Sequence, residues 1–270
     1  LCIIKKHEMF FDDAKVVSKE LELTLTGKSC GAEERAPMCG IPYHAAETYL
    51  TRLVKKGYKV AICEQVEDPK LAKGMVKREV TRVVTPGTTL NAQALDETKN
   101  NYIMCIAYIG DHYGISSADI TTGDYYVTEV DSERKLLDEV NKYQPTEIIC
   151  NEAFYISGID IDDMKNRMGI VIYSLDAWYF SDETAQMTLK DHFKVRDLEG
   201  LGLADYDSGV VAAGALLKYL YETQKTTLSN LVAIHPYTTG KFMIIDSSTR
   251  RNLELVETLR ELSLIHISEP

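Results

Sequence analysis

Three features of the sequence predict a mixed α/β protein with two domains. The chain has 270 residues, and a typical domain takes roughly 100–200 residues. Short alternating or continuous apolar runs, typical of strands, are interspersed with longer runs in which apolar residues recur every three and four positions, as in amphipathic helices. Hydrophobic residues make up 45% and charged residues 26% of the chain, which is ordinary for a globular protein and excludes collagenous, coiled-coil and largely disordered classes.

The first unit, residues 1–90, is predicted to contain two helices and several short strands. Each helix has an apolar face with three- and four-residue spacing, and turn formers mark the ends of the elements. In chain order we expect a helix capped by Asp12 or Asp13, a strand Leu23–Thr26 ended by Gly27, a loop to Pro37, a helix between the Gly40–Pro42 turn and Gly57, and strands Tyr58–Cys63 and Glu79–Val84, the last ended by Pro86 and Gly87.

Residues 91–101 are polar and lack periodicity, which predicts a linker. The second unit, residues 102–225, is predicted to open with a three-stranded meander, because turn residues separate three strand-like runs. Strands followed by alternating helices favour a mixed sheet with helices packed on it. The expected elements are strands Tyr102–Ile109, Gly114–Ile120 and Asp124–Val130, a helix after Ser132 broken by Pro145, strands Glu147–Cys150 and Ile170–Tyr173, and a helix Tyr206–Thr223.

Charge is distributed unevenly along the chain, whose formal net charge is −11. Residues 1–90 contain 15 Lys and Arg against 12 Asp and Glu, whereas residues 91–225 contain 11 against 24. A mildly basic first unit permits binding to a polyanion, and a strongly acidic second unit predicts a different partner. The basic side chains Lys55, Lys56, Lys77 and Arg78 are candidate contacts to backbone phosphates, with solvated surface charges as the alternative.

The cysteines and histidines provide no recognisable metal or nucleophile motif. Six cysteines lie far apart without a Cys-x-x-Cys pair, which argues against a zinc site or a disulfide framework and for reduced, buried thiols. No apolar run approaches the ~18 residues needed to span a bilayer. We therefore expect a soluble intracellular protein without a metal site.

Two further patterns suggest chemistry but favour structural explanations. Gly27-Lys28-Ser29 matches the end of a phosphate-binding loop, but Glu22 stands where that loop needs another glycine, so nucleotide binding is not expected. Asp111, Asp119 and Asp124 are candidates for a Mg²⁺ nuclease site. Two of these three occupy predicted turns, where Asp is a common turn former, and we expect no catalytic residue among them.

Several ordered motifs resemble bacterial DNA mismatch-recognition proteins of the MutS family. The motifs that carry the resemblance are Glu8–Ala14, Met38–Ala45, Val60–Gln65, Val83–Thr88, Asp119–Gly123 and Asp246–Glu254. Because they occur in family order over residues 8–262, they are more specific together than any one of them alone. The chain is identified as a member of this family.

The resemblance implies a mixed α/β mismatch-binding domain in residues 1–90, followed by a ribonuclease-H-like connector domain with a mixed sheet and flanking helices in residues 102–225. Residues 226–262 would begin the helical lever domain, with a strand Phe242–Asp246 and a helix Thr249–Glu261. Family members are several times longer and carry a C-terminal ATPase, so ATP and Mg²⁺ are cofactors expected of the intact protein and not of this chain. We therefore expect no enzymatic activity here.

In the family, a Phe-x-Glu motif enters the minor groove, where the Phe stacks on the mispaired base and the Glu hydrogen-bonds to it. Glu8 stands at the position of that Glu, whereas Lys6 occupies the Phe position and offers no aromatic face. The resemblance also suggests that Met38 lines the minor groove, with a core methionine as the alternative. Leu1–His7 and Leu262–Pro270 depart from the family pattern, and we interpret both, including the tail 263–270, as non-native sequence.

The expected partner is double-stranded DNA with mismatches or small loops. A MutL-type repair protein is expected to bind the connector, and homodimerisation is expected of the intact protein. The expected location is the cytoplasm, in association with the nucleoid, and no membrane partner is expected. The alternative is a protein-interaction module in which the connector functions and the first unit binds DNA poorly.

Overall fold

The computed structural model describes most of the chain, namely residues 2–4, 8–29, 31, 34–67, 76–89, 100–239, 249, 252 and 253. These residues form two six-stranded sheets with helices packed on them, one from residues 2–84 and one from residues 103–236. The predicted mixed α/β class is therefore confirmed.

The first sheet has the strand order β3-β4-β2-β1-β5-β6. Strand β1 runs parallel to β5, and all other neighbours are antiparallel. Its strands and helices are β1 (Cys2–Ile4), β2 (Glu8–Phe10), α1 (Phe11–Leu21), β3 (Thr26–Lys28), β4 (Ala36–Gly40), α2 (Ala46–Lys55), β5 (Val60–Gln65) and β6 (Arg78–Val84).

Helix α1 begins and ends at residues other than those predicted. Phe10 is the N-cap residue and makes no side-chain cap, while Asp12 and Asp13 lie in the first helical turn, where their charges still complement the helix dipole. At the other end, Glu22 adopts the left-handed conformation with φ 56°, and the Leu23 amide donates to the Ser18 carbonyl at 2.9 Å. This closing turn uses the residues predicted to begin a strand.

The predicted strand Leu23–Thr26 is therefore wrong except at its last residue. Strand β3 starts at Thr26, and Gly27 lies in its middle, paired with Pro37. The predicted loop before Pro37 ends in strand β4, which pairs with β3 on one side and β2 on the other. Proline has no backbone N–H to donate to a neighbouring strand, so its presence in a sequence disfavours the prediction of a strand there.

Helices α1 and α2 cover only one face of the first sheet. Their buried residues share a single core cluster with Met9 from β2, Cys39 from β4 and Val60 from β5. Side chains alternate between the two faces of a strand, so Glu8 and Phe10 lie on the face opposite Met9. Among the residues that the structure describes, no helix of the first unit packs on that second face.

The second sheet has the order β11-β10-β7-β8-β9-β12. The predicted meander is confirmed, and so are strand Glu147–Cys150 and the last long helix, which are placed within two residues of their predicted bounds. The strands and helices are β7 (Ile103–Ile109), β8 (His112–Asp119), β9 (Asp124–Val130), α3 (Glu133–Tyr143), β10 (Glu147–Cys150), α4 (Glu152–Tyr155), α5 (Ile161–Met168), β11 (Val171–Ser174), α6 (Asp182–Phe193), α7 (Asp207–Gln224) and β12 (His235–Pro236).

Helices lie on both faces of this sheet and bury two separate cores. On β7, Ile103 and Cys105 face the core shared with α6 and α7, whereas Met104 and Ile106 face the core shared with α3 and α5. Helix α7 is buried on nearly all sides, so its apolar residues extend beyond the single face that its spacing predicts. The sequence analysis missed helices α4, α5 and α6.

Several predicted segments lie outside the described residues. These are most of the linker 91–101, the strand Phe242–Asp246, most of the helix Thr249–Glu261 and the tail 263–270. Within the predicted helix Thr249–Glu261, the Leu253 amide donates to the Thr249 carbonyl at 2.9 Å, which is the spacing of a helical hydrogen bond. Asn101, the last residue of the predicted linker, is buried and donates from its amide to Asp119 at 2.9 Å.

Gly114 allows the closest approach between a helix and the second sheet. A Cβ atom at this position would lie 2.0 Å from the Ser208 carbonyl oxygen at the start of α7. We expect Gly114→Ala to lower the free energy of unfolding by at least about 1–3 kcal/mol, because a backbone segment has to move. Chemical denaturation monitored by circular dichroism measures the change.

Gly200→Ala is the matched control for that measurement. The nearest atom to a Cβ at Gly200 is a side-chain oxygen of Asp197 at 3.8 Å, so the added methyl group meets no obstacle. We expect a change within about 0.5 kcal/mol for a surface substitution of this kind. Equal effects of the two substitutions would contradict the close packing of α7 on β8.

Candidate functional site

Glu8 and Met38, two of the predicted mismatch contacts, lie on the same face of the first sheet. Strands β2 and β4 are neighbours, with Glu8 opposite Gly40 and Phe10 opposite Met38. Directly opposite residues of antiparallel strands share a face, and helices α1 and α2 occupy the other one. Met38 is partly exposed and is no member of the buried core.

Lys28 and Phe10 complete this face and were missed in the sequence analysis. The Lys28 Nζ lies 2.8 Å from the Glu8 Oε2 and 5.3 Å from the centroid of the Phe10 ring. The two charged side chains are 49% and 24% exposed, so the pair contributes only about 0–1 kcal/mol to stability. Its electrostatic effect matters more, because Lys28 offsets a carboxylate that would otherwise repel phosphate. We call Glu8, Phe10, Lys28 and Met38 the β2–β4 face.

Lys6, at the family's Phe position, lies outside the described residues. Lys28 itself lies in strand β3 and pairs with Ala36, so Gly27-Lys28-Ser29 forms part of a hairpin and not a phosphate-binding loop. No local signal in the sequence indicates that Lys28 reaches Glu8, since the contact depends on the register of two strand pairs.

The four predicted phosphate contacts lie toward different ends of strand β5. The pairing of Ile4 with both Glu8 and Cys63 places Glu8 level with Cys63, two residues before Gln65, which pairs with Arg78. Lys77 and Arg78 are therefore at the end of β5 that is nearer to the level of Glu8, although β6 is three strands away from β2. Lys55 and Lys56, at the end of α2, precede the other end of β5.

Two of these cations are already paired with carboxylates. Lys56 lies 2.7 Å from Glu20, and Lys77 lies 2.6 Å from Glu79. The hydrogen bond from Lys56, assisted by one from Tyr58, lowers the pKa of the Glu20 carboxyl. Lys55 and Arg78 are exposed, and neither forms an ion pair with a carboxylate of the described residues. Among the four, Arg78 is the cation without such a pair that lies at the end of β5 nearer to the level of Glu8, on the edge strand β6 of the same sheet.

The three acidic candidates for a metal site do not converge. Asp119 is fully buried and accepts hydrogen bonds from the amides of Asn101 and Thr121 at 2.9 and 2.8 Å. Asp124 accepts from Asn100 at 3.1 Å at the same end of the meander. Asp111 lies beyond the opposite end of β8, about 25 Å along the strand, and accepts from Tyr108 at 2.9 Å. These carboxylates stabilise turns.

Within the described residues, no group of three or more His, Cys, Asp and Glu side chains is arranged to hold a metal ion. The thiols of Cys105 and Cys150 are buried, and burial raises the pKa of Cys150 to about 12. Both thiols therefore stay protonated at neutral pH and are poor nucleophiles and metal ligands.

In the part of the chain that the structure covers, no helix has the length and apolar character needed to cross a membrane.

The structure is that of an α/β protein with two units, each built on one six-stranded sheet. On the first unit, one face of the sheet carries the charged pair Glu8 and Lys28. Residues 3–93 match the family model for MutS domain I, and residues 101–232 match that for MutS domain II. The chain belongs to the MutS family. The domain I match begins at residue 3, so it includes part of the segment Leu1–His7 that we expected to depart from the family pattern.

Curated relatives agree with this assignment. The chain is 66% identical over 255 residues to the DNA mismatch repair protein MutS of Lachnoclostridium phytofermentans, which covers 94% of this chain and 27% of that protein. It is 50% identical to the DNA mismatch repair protein MutS of Ruminiclostridium cellulolyticum, over 95% of this chain and 29% of that protein. It is 47% identical to the DNA mismatch repair protein MutS of Acetivibrio thermocellus, over 94% of this chain and 29% of that protein. The chain thus spans less than a third of the length of these relatives.

The hydrogen bonds of Asp119 predict a structural cost for its removal. In Asp119→Asn, one acceptor oxygen is replaced by an NH₂ group that faces backbone donors. We expect the free energy of unfolding to fall by about 1–3 kcal/mol. Urea denaturation of the variant and the wild type measures the difference.

Asp111→Asn is the control, because Asp111 is exposed and accepts a hydrogen bond from the Tyr108 hydroxyl rather than from a buried backbone amide. We expect a change within about 0.5 kcal/mol. Stabilisation of the wild type by Mg²⁺ that disappears in Asp119→Asn would contradict the structural role and favour a metal site.

Proposed function

We propose that this chain binds duplex DNA through the β2–β4 face and forms the mismatch-reading part of a longer DNA mismatch-repair protein. The observation that carries the proposal is the display of Glu8 and Met38 together on one sheet face, with Lys28 beside Glu8. The three relatives named above, all DNA mismatch repair protein MutS, support the same function.

The physical basis of recognition in this proposal is deformability. A mismatch weakens stacking and pairing, so kinking the duplex at that step costs less than kinking perfect DNA. Glu8 hydrogen-bonds to the mispaired base, and Lys28 reduces the repulsion between the Glu8 carboxylate and the phosphates. Lys6 attracts phosphate but cannot stack, so we expect this chain to bind DNA with little preference for mismatches.

The activity proposed for the chain is binding and not catalysis. ATP and Mg²⁺ are proposed as cofactors of the remainder of the intact protein, which would also supply homodimerisation. The proposed location is the bacterial cytoplasm, in association with the nucleoid. In this scheme the connector domain binds a MutL-type repair partner.

The charge of the second unit favours a second candidate function, a protein-interaction module. Residues 91–225 carry 24 Asp and Glu against 11 Lys and Arg, so this unit repels duplex DNA and suits contact with a basic protein surface. Salt-insensitive absence of DNA binding, with retained affinity for a repair protein, would favour this alternative over the first proposal.

Fluorescence anisotropy with a perfect duplex and a duplex carrying one G·T mismatch tests the first proposal at two salt concentrations. We expect salt-sensitive binding of similar affinity to both duplexes. Lys6→Phe is expected to raise affinity for the mismatched duplex roughly 5- to 150-fold over the perfect one, the value of one stacked base.

Lys6→Leu is the matched control, because it removes the same charge without adding an aromatic face. We expect it to leave the ratio of the two affinities unchanged. A clear mismatch preference of the wild-type chain would show that Glu8 suffices without an aromatic wedge and would contradict this prediction.

The division of cations between the two ends of the first sheet gives a separate prediction. Arg78→Gln is expected to reduce the slope of log affinity against log salt concentration by about 0.9, the value for one lost phosphate contact. Lys55→Gln removes an equally exposed charge at the far end of the sheet and is expected to leave the slope unchanged. The reverse order of effects would place the DNA at the wrong end of the sheet for Glu8 to read it.

A further inference from the structure

The segment Thr85–Thr88 has no place in the β2–β4 face, although it belongs to one of the motifs that carry the family resemblance. It forms a short 3-10 helix after β6, in which the Thr85 amide donates to the Thr88 Oγ1 at 3.0 Å. All four residues are buried. They are buried by contact with the second unit.

Glu147 on β10 is the centre of that contact. Its side chain is fully buried. The Oε2 accepts hydrogen bonds from the Thr85 hydroxyl at 2.5 Å and the Gly87 amide at 2.9 Å, and the Oε1 accepts from the Tyr219 hydroxyl at 2.6 Å. Burial, reinforced by the charge of Glu147, raises the pKa of Tyr219 well above its ordinary value, so this hydroxyl remains a donor.

Two of the three donors to Glu147 thus come from the first unit. A buried carboxylate is unfavourable unless hydrogen bonds and charges compensate it. A small tilt between the units that breaks the bonds from Thr85 and Gly87 without admitting water would leave Glu147 with Tyr219 alone among these donors. The cost of an under-satisfied buried carboxylate therefore opposes such a tilt.

A second set of contacts joins the units beside Glu147. The Lys59 Nζ lies 3.6 Å from the centroid of the Tyr173 ring and 5.0 Å from that of Tyr219. Burial lowers the pKa of Lys59, and the charge of Glu147 opposes that shift. The Tyr173 hydroxyl donates to the Gly57 carbonyl at 2.6 Å. A cation of the first unit is thus held by rings of the second.

Gly87 shows how closely the first unit approaches the second sheet. A Cβ atom there would lie 2.7 Å from the Ile103 Cβ and 3.1 Å from the Glu147 Cβ. Both distances are shorter than ordinary van der Waals contact, so only glycine fits without displacing β7 or β10. The backbone of the first unit therefore packs directly on the side chains of the second sheet at this point.

These contacts are joined to the β2–β4 face through the strand pairs β5-β1-β2-β4 of the first sheet. Val84, which precedes Thr85, pairs with Val60 at the start of β5, and Glu8 is level with Cys63 further along the same strand. Three strand spacings of about 4.8 Å separate β5 from β4. A tilt at Glu147 would therefore be transmitted to the β2–β4 face about 15 Å across the sheet.

We propose that Glu147 is a positioning residue that, with Thr85, Gly87, Tyr219 and the Lys59–Tyr173 contact, fixes the first unit in one orientation on the second. We call this set the inter-unit joint. Through it the two units move as one body, and the orientation of the β2–β4 face is set by a carboxylate of the second unit. The inference goes beyond DNA binding and does not require it.

The test compares Glu147→Ala with Glu139→Ala in the full 270-residue chain. Glu139 is a matched control because it is also a buried carboxylate, but its bonds to Tyr237 and Lys142 involve no residue of the first unit. Residual dipolar couplings report the relative orientation of the units. We expect one alignment tensor to fit both units in the wild type and in Glu139→Ala, and two different tensors in Glu147→Ala.

Hydrogen exchange provides an independent measurement. We expect the amides of Val83–Thr88 to exchange about tenfold faster or more in Glu147→Ala, and at the wild-type rate in Glu139→Ala. A single tensor in Glu147→Ala, with exchange of Val83–Thr88 within about twofold of the wild type, would overturn the proposal.

Two milder variants keep the test decisive if Glu147→Ala does not fold. Thr85→Val removes one hydroxyl from the first unit and is expected to accelerate exchange of Val83–Thr88, whereas an unchanged rate would count against the joint.

Glu147→Gln keeps the shape of the side chain and one carbonyl acceptor. We expect a single alignment tensor to fit both units in this variant, as in the wild type. None of these measurements contains DNA, so failure of the DNA-binding proposal and failure of the joint are distinguishable.

Discussion

The buried carboxylate of Glu147 is the constraint on which the arrangement of the two units depends. A negative charge removed from water has to be matched by donors, and here the donors come from Thr85 and Gly87 on one side and Tyr219 on the other. The same carboxylate faces the partly buried ammonium group of Lys59. Hydrophobic contact alone would tolerate small rotations between the units, whereas directional hydrogen bonds to one carboxylate do not.

The first sheet connects this constraint to the face that we propose for DNA. Its two helices cover one face, which leaves Glu8 and Met38 exposed on the other. Because the strand pairs β5-β1-β2-β4 join the inter-unit joint to this face, a ladder of backbone hydrogen bonds links the two regions. Positioning and reading are thus performed by different residues of one small domain.

Local pairing of charges decides how strongly the first unit attracts a polyanion. The excess of basic residues in residues 1–90 is small, and Lys28, Lys56 and Lys77 each lie beside a carboxylate. Electrostatic attraction then depends on a few exposed cations such as Arg78. When this attraction is weak, the energy of deforming the duplex contributes more to the difference in affinity between mismatched and perfect DNA, because that energy is lower at a mismatch.

The α/β class, the meander, strand Glu147–Cys150, the last long helix and the family are all readable from the amino-acid sequence, because apolar periodicity and ordered motifs are local properties. The position of Pro37 and Met38 within a strand, the contact of Lys28 with Glu8 and the hydrogen bond from Thr85 to Glu147 depend on tertiary packing. The last two contacts join residues 20 and 62 positions apart in the chain. Periodicity reports whether a side chain is buried, but strand register and packing between units decide which distant group it meets.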